Sequence, residues 1–225
     1  AIAELAPGIL WQNPDLVSRF VKGDLRAAGF VPLGRLTLQL SAEVGHAYAI
    51  TGTVPLEDRY RLGGTGSMRG FALQSVGPRN RADNVVVTWP AGIAPILEQT
   101  EAGLPERWIP TGGDTQGIGI VELLVPFATF GLTSWDGYAL ALFEDVGNVW
   151  HLGPGAPSTR GIDGVPTVRS ATGLGLRVAT PIGPLQLDVA GNNQRMFSRG
   201  TQQALIRDAW EEPMFRAHLS LGTLW

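Results

Sequence analysis

Cysteine is absent from the 225 residues, and charged residues make up only 16% of them, against roughly a quarter in ordinary soluble domains. The lack of cysteine excludes disulfide scaffolds, cysteine-based zinc sites and thiol nucleophiles, and it suits a protein of the cell envelope. A net charge of −3 gives no support to a nucleic-acid partner. No apolar run in the sequence reaches the roughly 18 residues that a membrane-spanning helix needs.

Glycine and proline, by contrast, are abundant, with 30 and 16 residues, which is too many for a helix bundle. Apolar and polar residues alternate with a period of two, the pattern of half-buried β-strands. Residues 1–10 form one weak segment of this kind. The clear segments are residues 15–27, 34–50, 116–127, 138–147, 170–180, 184–191 and 213–225. The sequence therefore predicts an all-β protein.

Short and long connections alternate between these segments. The short ones are residues 30–34, 130–133 and 181–183, and the long ones are roughly 51–115, 151–169 and 192–212. A transmembrane β-barrel has this alternation, with short turns on one side and longer loops on the other. Segment lengths of mostly about 8–13 residues also fit the roughly 9–11 that cross a bilayer at a tilt. A soluble barrel or sandwich is the alternative, because its strands alternate too.

The connection 51–115 contains the run RYRLGGTGSMRGF at residues 59–71, with a Gly63-Gly64 pair and the tetrad Met68-Arg69-Gly70-Phe71. A later segment carries Phe143-x-Asp145-x-Gly147. These motifs resemble the signature loop and strand motif of the BamA/TamA superfamily of outer-membrane assembly barrels. Further blocks are similar to that family in the same order, namely residues 117–126, 173–177, 181–188 and 222–225.

The resemblance implies that residues 1–225 form one outer-membrane barrel domain, the C-terminal seven or eight strands of a 16-stranded antiparallel barrel. The location would be the outer membrane of a Gram-negative bacterium or a derived organelle. The connection 51–115 would be an extracellular loop that folds into the lumen. Its extension, residues 84–116, is not required by the family core and has no assigned role. Sixteen strands need roughly 350 residues, so the sequence is expected to be a fragment, a split half or a short homologue that dimerises.

The family pattern pairs the loop arginine with two strand acids, and the matching residues are Arg69, Glu122 and Asp145. By alternation, Glu122 faces away from Val121 and Asp145 faces away from Leu142, so both carboxylates can point into the lumen. A guanidinium held there needs such partners, because an unpaired buried charge is costly. The network is expected to pin the loop. Glu144, next to Asp145, is then expected to face lipid, unless the strand bulges, lies near the headgroups or meets protein at that face.

The last segment has an apolar face that includes Phe215 and closes with Gly222 and Trp225, similar to the family's C-terminal strand signal. In the family, the first and last strands meet at a seam that accepts client strands. An exposed strand edge is a template for pairing with another chain. The resemblance therefore implies outer-membrane protein assembly by templated strand addition, without covalent chemistry. The implied partners are the lipid bilayer, unfolded outer-membrane protein clients, and periplasmic domains, accessory subunits or a second chain that completes the barrel.

Two other functions fit the same barrel. One is a polypeptide secretion pore of the two-partner type, and the other is an anchor for a passenger or enzyme domain. An enzymatic function is not expected from these residues. His46, His151 and His218 have no metal-ligand spacing, a pairing of His218 with Ser220 lacks an acid placed by sequence, and Gly64-Thr65-Gly66 is no nucleotide fingerprint. Neither a metal nor a cofactor is predicted.

Overall fold

The computed structural model describes residues 2–9, 18–81, 108–132, 137–153, 168–193 and 214–222. Its strands are β1 (Ile2–Ile9), β2 (Arg19–Leu33), β3 (Leu36–Thr51), β4 (Arg79–Arg81), β5 (Trp108–Pro110), β6 (Thr115–Pro126), β7 (Tyr138–Trp150), β8 (Arg169–Val178), β9 (Leu185–Asn192) and β10 (Phe215–Leu221). A short 3-10 helix, Phe127–Phe130, follows β6. No helix in the described part of the chain has the length and apolar character to span a membrane.

Eight of these strands form one antiparallel sheet in the order β1-β2-β3-β6-β7-β8-β9-β10, which confirms the all-β prediction. The weak segment at residues 1–10 contributes β1, which pairs with β2 from Ile2↔Arg26 to Ile9↔Arg19. Strands β1 and β10 are the two edges of the described sheet. Strands β4 and β5 form a separate two-stranded sheet between β3 and β6 in sequence. Most of the 84–116 extension lies outside the described residues.

The predicted connection at residues 30–34 is wrong in extent, because β2 continues through Leu33. The reversal needs only Gly34 and Arg35, since Gly34 adopts the left-handed conformation at φ +67° that tight hairpins require. Pro32 reads as a turn residue in the sequence, yet it lies in the strand opposite Thr37.

The sheet has one apolar and one polar face, as period-two alternation requires. Large apolar side chains are exposed on one side, among them Leu25, Leu40, Val121, Leu142, Leu174, Leu187 and Leu219. The other side, the inner face, carries buried polar groups, among them Gln39, Glu122, Asp145 and Asp188. An outward apolar band with a polar interior is the pattern of a barrel wall in lipid.

Glu144 lies on the exposed face, in alternation with the buried Asp145. The pairing of β7 with β6 and β8 is continuous across this position, so a bulge does not explain the acid. Its carboxylate instead accepts hydrogen bonds from the hydroxyl of Thr172 and, at 2.8 Å, from Asn193 Nδ2. These neighbours supply donors that lipid lacks.

Residues 52–78, called the inner loop below, pack against the inner face of the sheet. Its apolar side chains Met68, Phe71 and Val76 are buried together with Val149 of β7 and Ala171 of β8. The hydrophobic core of the described chain is therefore the contact between this loop and the sheet. The same contact brings the 59–71 motif onto the polar face.

Candidate functional site

Arg69 is the centre of a buried charge network on the inner face, with 6% of its surface exposed. Its backbone N–H and its Nε each donate to Asp145 Oδ2 at 2.9 Å, and Nη2 donates to Asp145 Oδ1 at 2.6 Å. Nη1 donates to Glu122 Oε2 at 2.8 Å and lies 3.5 Å from Asp188 Oδ2. A two-pronged arginine–carboxylate contact of this kind restricts position as well as charge.

Arg177 is a second cation in the same network. Its Nε and Nη2 donate to the two oxygens of Glu122 at 3.0 and 2.9 Å, and its Nη1 donates to Asp188 Oδ1 at 2.5 Å. Two arginines and three carboxylates leave the group with one excess negative charge. The motif comparison brought Arg69, Glu122 and Asp145 together but omitted Arg177 and Asp188. A charged residue within a segment predicted to cross the bilayer is the signal that could have identified Arg177 and Asp188, because such a residue must face the polar side of the sheet.

Glycines of β8 make room for the large side chains of this network. Phe143 lies opposite Gly173, and a Cβ at Gly173 would stand 2.2 Å from Phe143 Cζ. The Phe143 ring also contacts the guanidinium of Arg69, whose Cζ is 3.4 Å from the ring centroid, a cation–π geometry. Gly175 in the same way leaves space for Asp188, because a Cβ there would be 2.0 Å from Asp188 Oδ1.

The glycines of the 59–71 motif fold the inner loop tightly. Gly63, Gly64 and Gly70 have φ values of +114°, +99° and +87°, a region that residues with a Cβ rarely adopt. The Gly63 N–H donates to Ser67 Oγ at 2.8 Å, and the Gly64 N–H donates to Met68 O at 3.0 Å. This compact turn presents Arg69 to the strands.

Replacing Gly70 with alanine is expected to push the inner loop away from the sheet. The added Cβ would lie 2.9 Å from the Ala171 Cβ, and the left-handed backbone adds its own strain, so we expect a loss of at least about 2 kcal/mol. The measurement is the protease resistance of residues 52–78 in the folded protein. Gly66→Ala is the matched control, because no atom lies within 4 Å of a Cβ there. Equal protease resistance of the two variants would contradict the expectation.

The inner loop contacts strands near both edges of the described sheet. Beside β2, the Tyr60 hydroxyl donates to Gly23 O at 3.2 Å, and Lys22 Nζ lies 4.0 Å from the centroid of the Tyr60 ring. Beside β10, Thr65 Oγ1 and the Gly70 N–H each lie 3.2 Å from a ring nitrogen of His218. The loop therefore crosses the inner face from β2 to β10.

Asp114, directly before β6, anchors the chain that leaves β7. It is 2% exposed and accepts hydrogen bonds from His151 Nδ1 at 2.6 Å and from the N–H groups of Leu152 and Gly153 at 2.8 and 2.7 Å. Burial acts to raise the pKa of Asp114, but these hydrogen bonds and that of Thr115 outweigh it, so the pKa lies below its ordinary value. The ionised form is the one that fits the folded protein.

The stabilising effect of Asp114 is therefore expected to be present above about pH 4, the ordinary range of an aspartate, and to be lost as the pH falls through its lowered pKa. The measurement is pepsin digestion, in which cleavage at Leu152 is expected to increase as the pH is lowered from 4 to 2. In Asp114→Asn, cleavage at Leu152 is expected to be high at pH 4 already, with little further change. The control is Asp58→Asn, which removes a carboxylate from the inner loop and should keep the wild-type pH response. A wild-type pH response in Asp114→Asn would refute the anchor.

The remaining predicted residues lie apart from the network. Gly147 packs against β6, where a Cβ would be 2.5 Å from Gly117 O. Phe215 is exposed on the apolar face, and Gly222 follows β10 at φ +95°, its N–H donating to Pro184 O at 2.9 Å. Trp225 lies outside the described residues. The seam and signal roles of this last strand stay predictions.

An antiparallel sheet with one apolar face, one charged face and a loop folded against the charged face is the wall of a membrane β-barrel. Residues 13–203 match the family model described as the Omp85 superfamily domain. The chain belongs to the Omp85 superfamily, and it is part of an outer-membrane β-barrel.

A solved structure of a membrane barrel protein supports the same fold. The chain is similar to BamA from Haemophilus ducreyi lacking POTRA domains 1–3, with a TM-score of 0.58 and 19% identity, over 97% of this chain and 38% of that one. It is also similar to CdiB from Acinetobacter baumannii, with a TM-score of 0.43 and 17% identity, over 78% of this chain and 24% of that one. The chain thus spans well under half the length of either structure.

Proposed function

We propose that this chain is the C-terminal part of an outer-membrane assembly barrel that inserts unfolded outer-membrane proteins by adding their strands to its own sheet. The observation that carries the proposal is the inner loop, which is tied through Arg69 to acids on β6, β7 and β9. These ties stiffen the middle of the sheet. Strand β10, at one edge of the described sheet and outside these ties, is then the place where pairing can change.

Strand addition at such an edge needs no covalent step. An edge strand offers a row of N–H and C=O groups, and an incoming strand satisfies them while satisfying its own. In a bilayer this exchange is strongly favoured, because an unpaired backbone group in lipid costs several kcal/mol. The partners we propose are therefore unfolded barrel clients and the lipid bilayer. The remaining strands would come from the rest of the protein or from a second chain, together with any periplasmic domains or accessory subunits.

The inner loop also favours assembly over free conduction. Met68 and Phe71 are fully buried where the loop meets the sheet, so the loop occupies the space beside the inner face that a wide pore would keep open. A two-partner-type secretion pore would have to displace this loop to pass a polypeptide. A barrel that only anchors another domain would not need its inner loop to be joined to three strand acids through a buried arginine.

The test is client folding by the full-length protein in proteoliposomes. A urea-denatured outer-membrane barrel is added, and its folding is followed by heat-modified gel mobility. We expect faster folding than in vesicles that hold an equal amount of a barrel without an assembly function. Equal rates would refute the proposal. In planar bilayers, a large and stable single-channel current would favour the secretion pore instead.

A further inference from the structure

His218 joins the inner loop to the last described strand, and neither the network nor the motif includes it. It lies on the inner face of β10, half-buried, between Arg216 and Ser220 in alternation. Its Nε2 is 3.2 Å from the backbone nitrogen of Gly70, and its Nδ1 is 3.2 Å from Thr65 Oγ1. Gly70 directly follows Arg69, so the ring touches the loop at its most tightly held point.

The hydrogen bond from Gly70 determines the proton state of this ring. A backbone N–H can only donate, so Nε2 must accept and cannot carry a proton. A neutral imidazole then has its proton on Nδ1, which donates to Thr65 Oγ1. Protonation of Nε2 would turn the acceptor into a second donor facing the Gly70 N–H. The contact between β10 and the loop is therefore compatible with the neutral ring alone.

We propose that His218 is a positioning residue that ties β10 to the inner loop when neutral and releases it when protonated. The geometry of the tie stands on its own, and only its use, freeing an edge strand for a client, rests on the proposed function. The tie joins the pinned part of the sheet to the strand at its edge. Loss of the tie is expected to loosen β10 without unpinning Arg69.

Charged groups on every element packed against the ring bear on this switch. Asp188 lies opposite His218 on β9, Arg216 lies on β10 itself, and Arg69 is in the loop. Asp188 attracts a protonated ring, whereas the two arginines repel it. Asp188 already accepts from Arg177 Nη1 at 2.5 Å and lies 3.5 Å from Arg69 Nη1, so a protonated ring gains no unshared carboxylate on β9. Protonation therefore removes the contact of β10 with the loop and leaves β10 attached by its pairing with β9.

Hydrogen–deuterium exchange of the full-length protein in proteoliposomes tests the tie. The amides of Gly70 and of Phe215–Leu221 are compared at pH 8 and pH 5, in wild type and in two variants at the same pH. His218→Gln keeps an acceptor and a donor without titrating, and His218→Leu keeps neither. At pH 8, wild type and His218→Gln are expected to exchange at the same rate. At pH 5, wild type is expected to exchange about five- to tenfold faster than His218→Gln, which is the equivalent of one hydrogen bond.

His218→Leu is expected to exchange at the faster rate at both pH values. The control is His46→Gln, which removes an exposed imidazole that hydrogen-bonds to Thr115 at 2.8 Å, far from β10, and it should keep the wild-type response. A wild-type pH response in His218→Gln, or wild-type protection in His218→Leu at pH 8, would overturn the proposal. No client is present in this measurement, so a barrel with no assembly activity that still shows the response would refute the proposed function alone.

Discussion

Arg69→Ala is expected to release the inner loop from the sheet and to lower the stability of the folded protein by about 3–5 kcal/mol, the usual cost of removing one partner from a buried ion pair. Asp145 is completely buried and takes three hydrogen bonds from this one residue, two of them from the side chain. Without the guanidinium, its charge keeps only the backbone N–H of residue 69. Proteolysis within residues 52–78 and the temperature of the heat-modified gel shift measure the loss.

Arg61→Ala is the matched control for Arg69→Ala, because it removes an arginine of the same loop whose hydrogen bonds are exposed. Its effect is expected to stay within the small range of surface substitutions. Arg69→Lys should recover only part of the stability. Three guanidinium nitrogens bind Asp145 and Glu122, whereas the lysine ammonium has one nitrogen. If Arg69→Ala leaves both loop protease resistance and heat-modified mobility unchanged, the loop is not pinned by this residue.

Asp145→Asn and Glu122→Gln remove the same charge, yet we expect a larger loss for Asp145→Asn. Asp145 binds Arg69 through both oxygens, and an amide there offers only one acceptor and places N–H groups against the guanidinium. The expected loss is again about 3–5 kcal/mol. Glu122→Gln removes the excess negative charge of the network and leaves Arg69 with Asp145 and Arg177 with Asp188. Glu122 accepts from Arg177 through both oxygens and from Arg69, so its expected loss is about 2 kcal/mol, smaller than that of Asp145→Asn because Arg69 keeps its hydrogen bonds to Asp145.

The ratio of the two effects is the informative quantity, and it is measured by the same gel-shift and proteolysis assays. Both substitutions are nearly isosteric, so neither opens a cavity that would confuse the comparison. Equal losses of stability would mean that the two acids contribute equally to holding Arg69 and Arg177. A larger loss for Glu122→Gln would mean that the contact of Arg69 with Glu122, rather than its contact with Asp145, holds the loop.

The architecture could be predicted from local pattern because each strand carries its own signal. In β7, Leu142 and Val146 are exposed while Phe143 and Asp145 are buried, as period-two alternation requires. The sequence alone predicts too early an end for β2, because Pro32 is typical of a turn, and only the pairing with β3 shows that the chain is still extended there. Alternation is a property of one strand, whereas its end is decided by its neighbour.

The charge network was only partly predictable, for a related reason. The motif resemblance supplied Arg69, Glu122 and Asp145, which lie on three separate parts of the chain. Arg177 and Asp188 stand within resembling blocks too, but their partnership depends on the register of β8 and β9 and on the space left by Gly175. No single-strand pattern shows that a glycine on one strand makes room for an aspartate on the next.

By itself, the sequence determined the strands, their two faces and the presence of a glycine-rich arginine loop, because backbone sterics and side-chain alternation act over a few residues. Only the tertiary structure decided that this loop crosses the inner face from β2 to β10, that two arginines share three acids, and that His218 meets Gly70 148 residues away in the chain. These contacts arise where distant segments pack, and their energies depend on distances that no local pattern contains. A sequence with few charges thus concentrates five of them in one buried group, where the low dielectric makes each partner matter most.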